Sequence, residues 1–396
     1  MNNMKWINFL HLYQPANALN YTISEATDKS YYRLIRALEN HPEVKFTMNI
    51  SGCLISRWYE MGYGDIIRRI KKLIEKGQIE LTGTAAYHPL LPLVSEHEIK
   101  LQIKEQEAII KEHFGEVKIS GFFFPEMAYG TKVARLIKKL GYEWLILDEY
   151  ANNYNMENGD FNHVFDDVNS GLKVVLRSRF YSNNFAPTVI TKKMEQSESE
   201  DDYPGVVISA TDGELYGLRH IDHKAEFENI LKSGKVKTET ISEFIDGHKE
   251  IIKLNIKPHN WSSTEKDLAN DEPYILWNGK NNTIQKKQWQ LAYLVLNTLE
   301  KNEKDKNYKW ARWHLVRGLS SCGFWWASSR DFCHQFGPVS WSPDEVERGA
   351  NDLIRAIRSL ENEDTREQKL EAEQIYLFIL RLLWRRHWTH CWKKIK

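Results

Sequence analysis

The order in which apolar runs, polar residues and amphipathic stretches follow one another constrains the fold of this chain most. Apolar runs of strand length end at polar residues, and stretches with the periodicity of helices come next, as in residues 121–140. Repetition of this order indicates parallel strands joined by helical crossovers. We therefore predict an α/β domain of barrel type in residues 1–240. We expect 241–396 to form a mainly helical subdomain that contributes to the rim of the barrel's mouth.

One strand end carries an acidic residue. Residues 122–124 are three phenylalanines, which suit a buried strand, and Pro125 ends the strand because it has no backbone N–H to donate. Glu126 follows directly, at the carboxyl end of the strand, where α/β barrels carry their chemistry. A loop glutamate without a catalytic role would have the same local sequence. Whether Glu126 is catalytic therefore depends on which residues lie at the other strand ends.

Other predicted strands also end in polar side chains. The apolar run 206–210 leads into Asp212 and Glu214, with Gly213 between them. The polar residues at or near strand ends are His11, Gln14, Glu80, His88, Glu126, Asp212 and Glu214. In a barrel these ends meet at one mouth, and two carboxylates about 5–5.5 Å apart there suit a retaining glycosidase. We predict Glu126 and Asp212 as the pair, although His11 can equally be a core histidine and Glu214 a structural residue.

Composition narrows the possible partners. The chain of 396 residues has 54 basic and 54 acidic side chains, which gives no indication of a nucleic-acid partner. Its 14 tryptophans suit either a large core or stacking on sugar rings. The 4 cysteines have no CxxC spacing, and neither a secretory signal nor an 18-residue apolar run is present. We therefore expect a cytoplasmic protein without a membrane partner, metal or cofactor.

Four motifs, in this order, resemble those of glycoside hydrolase family 57. They are HLYQP at 11–15, GQIEL at 77–81, FPE at 124–126 and DGELYG at 212–217. The resemblance extends over roughly residues 5–330. It implies an incomplete (β/α)7 TIM-like barrel with a helical subdomain, and a retaining, metal-independent mechanism. The implied substrate is an α-glucan or another oligosaccharide, as for the family's α-amylases, 4-α-glucanotransferases and branching enzymes.

The resemblance also implies roles for single residues. Glu126 becomes the nucleophile and Asp212 the acid/base. The predicted substrate contacts are His11, Gln14, Glu80, His88 and Glu214, with Trp325 or Trp326 stacking on sugars. Two positions depart from the family pattern, because Tyr13 stands where a second histidine is usual and Gly323 stands near a frequent aspartate. Both departures concern the substrate-contacting residues, so they leave the identity of the sugar open.

Two other function classes stay open. A carbohydrate-binding protein can keep a glycosidase fold after losing turnover. A metal-dependent polysaccharide deacetylase or mannosidase-like hydrolase also uses a partial barrel, but needs Asp and His ligands at strand ends. His11 and His88 are available for such a site, whereas no Asp-Asp pair follows the first strand. The sequence does not distinguish hydrolysis from transglycosylation, and it leaves the oligomeric state unknown.

Overall fold

The structure is a computed structural model that describes residues 4–151, 161–197, 205–330 and 340–392. The strands are β1 (Met4–Leu12), β2 (Phe46–Ile50), β3 (Ile79–Leu81), β4 (Gly121–Phe122), β5 (Trp144–Asp148), β6 (Val164–Asp167), β7 (Lys173–Arg177), β8 (Val206–Asp212), β9 (Val236–Thr238) and β10 (Ile251–Leu254). The helices up to residue 246 are α1 (Asn20–Ala26), α2 (Tyr32–Asn40), α3 (Gly52–Glu60), α4 (Gly64–Glu75), α5 (Glu96–Phe114), α6 (Thr131–Lys139), α7 (Arg179–Asn183), α8 (Ala186–Gln196), α9 (Glu226–Lys232) and α10 (Ile241–Asp246).

The later helices are α11 (Glu265–Ala269), α12 (Ile275–Asn278), α13 (Thr283–Lys301), α14 (Tyr308–Gly318), α15 (Ser321–Trp325), α16 (Pro343–Arg358) and α17 (Arg366–Arg386). Two π-helical turns, Thr27–Tyr31 and His387–Cys391, complete the longer elements. Two compact units are present. The first comprises Met1–Gln14, Ala18–Ala86 and Leu91–Ser262, and the second Pro15–Asn17, Tyr87–Leu90 and Ser263–Lys396. The first unit extends to Ser262, and the domain boundary near position 240 stays a prediction. No helix of the described ranges has both the length and the apolar character needed to cross a membrane.

The first unit contains two sheets made almost entirely of parallel strands. One has the order β3-β2-β1-β8, with β9 pairing β1 near its start, and the other has the order β10-β6-β7-β5-β4. The pair of β6 and β7 is antiparallel, while the other pairs are parallel. Helices separate successive parallel strands, as crossover connections require. The predicted α/β class with parallel strands is therefore confirmed.

Backbone hydrogen bonds also join the two sheets. Gly83, just beyond β3, donates to Gly121 O at 2.9 Å and accepts from Phe123 N at 2.8 Å. Ser178, just beyond β7, donates to Ile208 O of β8 at 2.9 Å. Gly121 must lack a side chain, because a Cβ there would lie 2.2 Å from the Trp144 ring. The strand that leads to Glu126 therefore lies directly against its neighbour.

Alternating side chains of the 122–124 run enter different apolar clusters. Phe123 packs with Ile7, Phe9 and Ile208 of the strands β1 and β8. Phe122 and Phe124 belong to a separate cluster that includes side chains of the helices α5 and α6. Because successive strand residues point to opposite faces, this run is covered on both sides. A strand forms at the predicted place, but it covers Gly121–Phe122 instead of 122–124, and Phe123 and Phe124 are fully buried beyond its end. Their packing fixes the backbone immediately before Glu126.

The second unit is built from helices. Within it α14 packs on α16, while α17 packs on both α13 and α16. The amphipathic pattern of α16 places Val346, Leu353 and Ile357 inside. A Cβ added at Gly318 would lie 2.7 Å from the Leu353 side chain, so the close approach of α14 and α16 requires glycine there.

Candidate active site

Glu126 lies four residues beyond the end of β4 at Phe122 and has an uncommon backbone conformation. Its φ is 61°, and that of the next residue, Met127, is 48°. Non-glycine residues in this left-handed region carry strain of roughly 1–3 kcal/mol each and need support from their surroundings. Trp261 provides it, since Trp261 N donates to Glu126 O at 3.3 Å and Trp261 Nε1 donates to Glu126 Oε2 at 3.0 Å. The half-buried carboxylate is thus held at a defined place.

Trp261 is a hydrogen-bond partner of Glu126 that sequence reasoning did not select as a site residue. Its ring lies 6.1 Å from the rings of both His11 and Phe123, measured between centroids. The Arg177 guanidinium lies 5.5 Å from the centroid of the Trp261 ring. A tryptophan in a polar stretch near residue 260 was the only sequence signal available. Only the fold shows that this indole reaches Phe123 and Glu126.

Asp212 ends β8, and its backbone lies in register opposite His11 of β1. One of its carboxylate oxygens, Oδ2, accepts from Arg219 Nη1 at 2.8 Å. The side chains of Asp212 and Arg219 are 29% and 40% exposed, so solvent and ligands reach this ion pair. Exposed pairs of this kind contribute roughly 0–1 kcal/mol, and a ligand can separate them at low cost.

His11 lies between the two candidate catalytic carboxylates. It faces Asp212 across the β1–β8 pair, and its ring contacts Trp261, which holds Glu126. Nδ1 of His11 donates to Asn49 Oδ1 at 2.9 Å. Burial lowers the pKa of His11 to about 4, while the charge of Asp212 opposes this shift. The imidazole is therefore neutral near pH 7.

Tyr13 takes part in the same cluster. Its ring stacks on the His11 imidazole at 5.6 Å between centroids, with 17° between the planes. The tyrosine that departs from the family pattern therefore packs beside the histidine that the pattern shares. Asn49, which sets the proton position on His11, was not predicted, because a polar residue inside a strand gives no signal of its partner.

Glu214 is buried and shares its carboxylate with two neighbours. Oε1 accepts from Gln14 Nε2 and from the Tyr31 hydroxyl, each at 2.5 Å. Burial raises the pKa of Glu214 to about 7; Arg219 opposes the shift and Asp212 adds to it. This acid therefore exchanges its proton near neutral pH. The structure brings the predicted residues Gln14 and Glu214 together and adds Tyr31, which the sequence did not indicate.

Glu80 lies farther from the carboxyl ends of the strands than His11 does. It lies in the middle of β3 opposite Thr47, two positions before the level of His11 and Asn49. Its Oε2 accepts from Thr47 Oγ1 at 2.7 Å and from Ser242 N at 3.3 Å, in the first turn of α10. Burial raises its pKa. These contacts join a strand to a helix, and contact with sugar stays a prediction for Glu80.

His88, Trp325 and Trp326 belong to the second unit. His88 has a φ of 57°, and its Nδ1 lies 3.0 Å from Ser321 Oγ at the start of α15. The indole rings of Trp325 and Trp326 are half-buried and lie edge to face, 4.7 Å apart. Gly323, between them and Ser321, lies against the backbone of Gly349 of α16. The roles predicted for these residues in sugar binding stay predictions.

The described residues contain no group of three or more His, Cys, Asp or Glu side chains placed to hold a metal ion.

Comparison with known proteins identifies the family. Glycosyl hydrolase family 57 matches residues 5–255, and the chain belongs to this family. It is similar to an α-amylase of Pyrococcus horikoshii, with 26% identity over 266 residues that span 61% of this chain and 40% of the amylase. It is also similar to a 4-α-glucanotransferase of Thermococcus litoralis, with 23% identity over 265 residues that span 65% of this chain and 38% of that enzyme. The matches thus span about two fifths of each of these curated relatives.

Solved structures of family members share the fold. The crystal structure of the 4-α-glucanotransferase from Thermococcus litoralis superposes with a TM-score of 0.70 at 18% identity, covering 92% of this chain and 61% of that chain. The GH57-type branching enzyme from Pyrococcus horikoshii superposes with a TM-score of 0.65 at 15% identity, covering 97% of this chain and 96% of that chain. The resemblance stated from the four motifs is confirmed.

Proposed function

We propose that this chain is a retaining glycoside hydrolase or transglycosylase that acts on α-linked glucans. Family membership supports glycosidic chemistry, and the relatives named amylase and glucanotransferase support the substrate class. One observation carries the residue assignment. A single neutral histidine, His11, lies opposite Asp212 on one side and against the indole that binds Glu126 on the other.

In the first step of this proposal a carboxylate oxygen of Glu126 attacks the anomeric carbon. Asp212, in its acid form, donates a proton to the glycosidic oxygen as the bond to that oxygen breaks. The leaving sugar takes the bonding electrons and the proton, and the glycosyl group stays on Glu126. The N–H of Trp261 stabilises the charge of Glu126 before attack, because it donates a hydrogen bond to Oε2.

In the second step the Asp212 carboxylate removes a proton from water or from a sugar hydroxyl. The resulting oxygen attacks the anomeric carbon, and Glu126 leaves with its bonding electrons. Two inversions give net retention. For the first step the substrate must separate Asp212 from Arg219, which their exposure permits. Hydrolysis and transfer differ only in which acceptor reaches the glycosyl-enzyme.

We also propose that the strands form an incomplete (β/α)7 barrel. The order β8-β1-β2-β3 in one sheet and β4-β5-β7 in the other supports this arrangement. Hydrogen bonds join Gly83 to the start of β4, and Ser178 after β7 to β8. In such a barrel the carboxyl ends of β1, β4 and β8 meet at one mouth. The proposed cytoplasmic location rests on the scattered cysteines, which lack CxxC spacing.

Substitution of the two carboxylates tests the assignment. We expect Glu126→Gln and Asp212→Asn each to lower turnover of maltoheptaose by about 10³-fold or more, because each removes a reacting group. Both residues lie outside the buried core, so the variants are expected to fold, which circular dichroism checks. Glu60→Gln, in a surface ion pair with Arg57, is the matched control and should keep full activity.

The same assay separates the other function classes. Activity that survives EDTA supports the glycosidase, whereas EDTA-sensitive activity would favour a metal-dependent hydrolase. Maltoheptaose binding without any product would favour a carbohydrate-binding protein. Full turnover by Glu126→Gln would refute the proposed nucleophile. Analysis of product lengths then distinguishes hydrolysis, which gives shorter sugars only, from transfer, which also gives longer ones.

A further inference from the structure

We propose that Arg177 is a positioning residue that fixes Trp261, and through Trp261 the carboxylate of Glu126. The proposal rests on the function proposed above for Glu126. It concerns a buried ion cluster that supplies none of the predicted catalytic or sugar-contacting residues. The cluster consists of Asp148, Arg177 and Arg179, at or next to the ends of β5 and β7.

Arg177 connects three separate segments of the first unit. Its side chain is 5% exposed. Nε donates to Asp148 Oδ2 at 2.9 Å, one terminal nitrogen donates to Ala210 O of β8 at 2.8 Å, and the other donates to Trp261 O at 3.1 Å. Ala210 lies two residues before Asp212 in the same strand. The guanidinium is thus bonded to the strand that carries the proposed acid/base and to the residue that binds the proposed nucleophile.

Asp148 holds Arg177 in place. Its carboxylate is fully buried and accepts from Arg177 at 2.9 Å and from Arg179 Nε at 2.7 Å. The two arginines then diverge. The guanidinium of Arg179 lies 3.8 Å from the centroid of the Tyr150 ring, whereas that of Arg177 lies over Trp261. Arg177 therefore contacts the indole of Trp261, while Arg179 contacts the ring of Tyr150.

Trp261 passes this restraint on to Glu126. Arg177 fixes the backbone carbonyl of Trp261. The backbone and indole N–H groups of Trp261 donate to the backbone carbonyl and the carboxylate of Glu126. The backbone contact matters because Glu126 and Met127 both have positive φ, a conformation that relaxes when it is not supported. Displacement of a catalytic carboxylate by about 1 Å is sufficient to slow a reaction about 100-fold.

The proposed role requires arginine. A planar guanidinium offers five donors in a rigid arrangement, and three contacts of Arg177 use it in three directions. The single ammonium group of lysine cannot make these three contacts at once, although it keeps the charge that Asp148 needs. Arg177→Lys therefore separates positioning from charge.

The first test compares two conservative substitutions at the cluster. We expect Arg177→Lys to lower kcat for maltoheptaose about 100-fold and to change KM by less than about twofold. Arg179→Lys is the matched control, because Arg179 pairs with the same carboxylate but stacks on Tyr150; it should change kcat by less than about threefold. Equal losses in both variants, or an unchanged kcat in Arg177→Lys, would overturn the proposal.

The second test asks whether the effect passes through Glu126. In Glu126→Ala, azide takes the place of the missing carboxylate and converts 4-nitrophenyl α-maltoside to the β-glycosyl azide. If Arg177 acts by holding Glu126, Arg177→Lys should slow the azide-rescued enzyme by less than about threefold. A general structural role would instead slow the rescued enzyme about 100-fold as well. Trp261→Phe, which removes the Nε1 donor together with part of the indole ring, should likewise slow the enzyme that has Glu126 and barely slow the azide-rescued enzyme; it tests the link from Trp261 to Glu126 where Arg177→Lys does not fold.

The two proposals fail differently in this experiment. Full activity of Glu126→Gln, or Glu126→Ala that azide cannot rescue, contradicts the proposed nucleophile, and the inference about Arg177 falls with it. Successful rescue combined with equal slowing of both enzymes leaves the nucleophile in place and refutes only the positioning role.

Discussion

Replacement of Glu214 by glutamine should change the pH dependence of stability in a defined direction. Burial raises the pKa of Glu214 from its ordinary value of 4.5 to about 7. Between these values the folded state keeps a proton that the unfolded state releases. The contribution of this group to stability is therefore fully present below pH 4.5, and it is lost as pH rises through 7. At 1.36 kcal/mol per pKa unit, the loss amounts to about 3 kcal/mol.

Glutamine has no proton to lose, yet its side-chain oxygen can still accept from the Tyr31 hydroxyl. The free energy of unfolding of Glu214→Gln, minus that of the unmodified chain, should therefore rise by about 3 kcal/mol between pH 4.5 and pH 7.5. Urea unfolding followed by circular dichroism at half-unit pH steps measures this difference. Any constant offset reports the altered hydrogen bond with Gln14, and the slope reports the proton.

A difference that stays constant across this pH range would refute the reasoning, because it would mean that Glu214 is ionised at pH 5 in the folded protein. Tyr31→Phe provides an independent check. The Tyr31 hydroxyl lowers the pKa of Glu214 by bonding its carboxylate, so its removal should move the midpoint of the stability loss to higher pH.

Two further predictions concern other parts of the first unit. Burial alone would raise the pKa of Asp222, but hydrogen bonds from backbone N–H groups and from Arg33 outweigh burial and lower the pKa. The stability lost in Asp222→Asn should therefore be large at pH 7 and shrink as pH falls. The same series of urea unfolding experiments measures this loss. Gly217→Ala should destabilise the folded protein by several kcal/mol, because φ is 135° and the new Cβ would lie 2.3 Å from Lys29 O. Gly77→Ala is the control: φ is 72° but the space is open, so thermal unfolding should show a loss of only about 1 kcal/mol.

The sequence predicted the elements whose signals are local. The apolar strand before Asp212 appears as β8, and the apolar run 122–124 is buried, although the strand there, β4, covers only Gly121–Phe122. The order of strand and helix also sufficed for the α/β class. From these elements the placement of Glu126 and Asp212 at strand ends follows directly.

The rest depends on register and on long-range pairing. Glu80 lies near the end of its apolar run in sequence, yet pairing with β2 places it two positions before the level of His11 and opposite Thr47. No local pattern contains that information, because the register of a strand is set by its neighbours. The contacts of Glu80 with Thr47 and the first turn of α10 follow from this register.

The supporting residues of the site were missed for a related reason. Asp148, Arg177 and Trp261 come from three distant parts of the chain, and each alone resembles an ordinary strand end or loop residue. Their hydrogen bonds exist only because β5 and β7 are neighbours and the segment near residue 260 passes beside them. Ion pairs and hydrogen bonds between residues far apart in the chain form only in the folded protein, so they produce no regular spacing in the sequence.

Trapping of the covalent intermediate tests the central claim most directly. Incubation with 5-fluoro-α-D-glucosyl fluoride, which forms a glycosyl-enzyme faster than it is released, should give a protein carrying one fluoroglucosyl group. Peptide mass spectrometry should place this group on Glu126, and Glu126→Gln should remain unlabelled. Labelling of a different carboxylate, or turnover of maltoheptaose with inversion at the anomeric carbon, would contradict Glu126 as the nucleophile of a retaining enzyme.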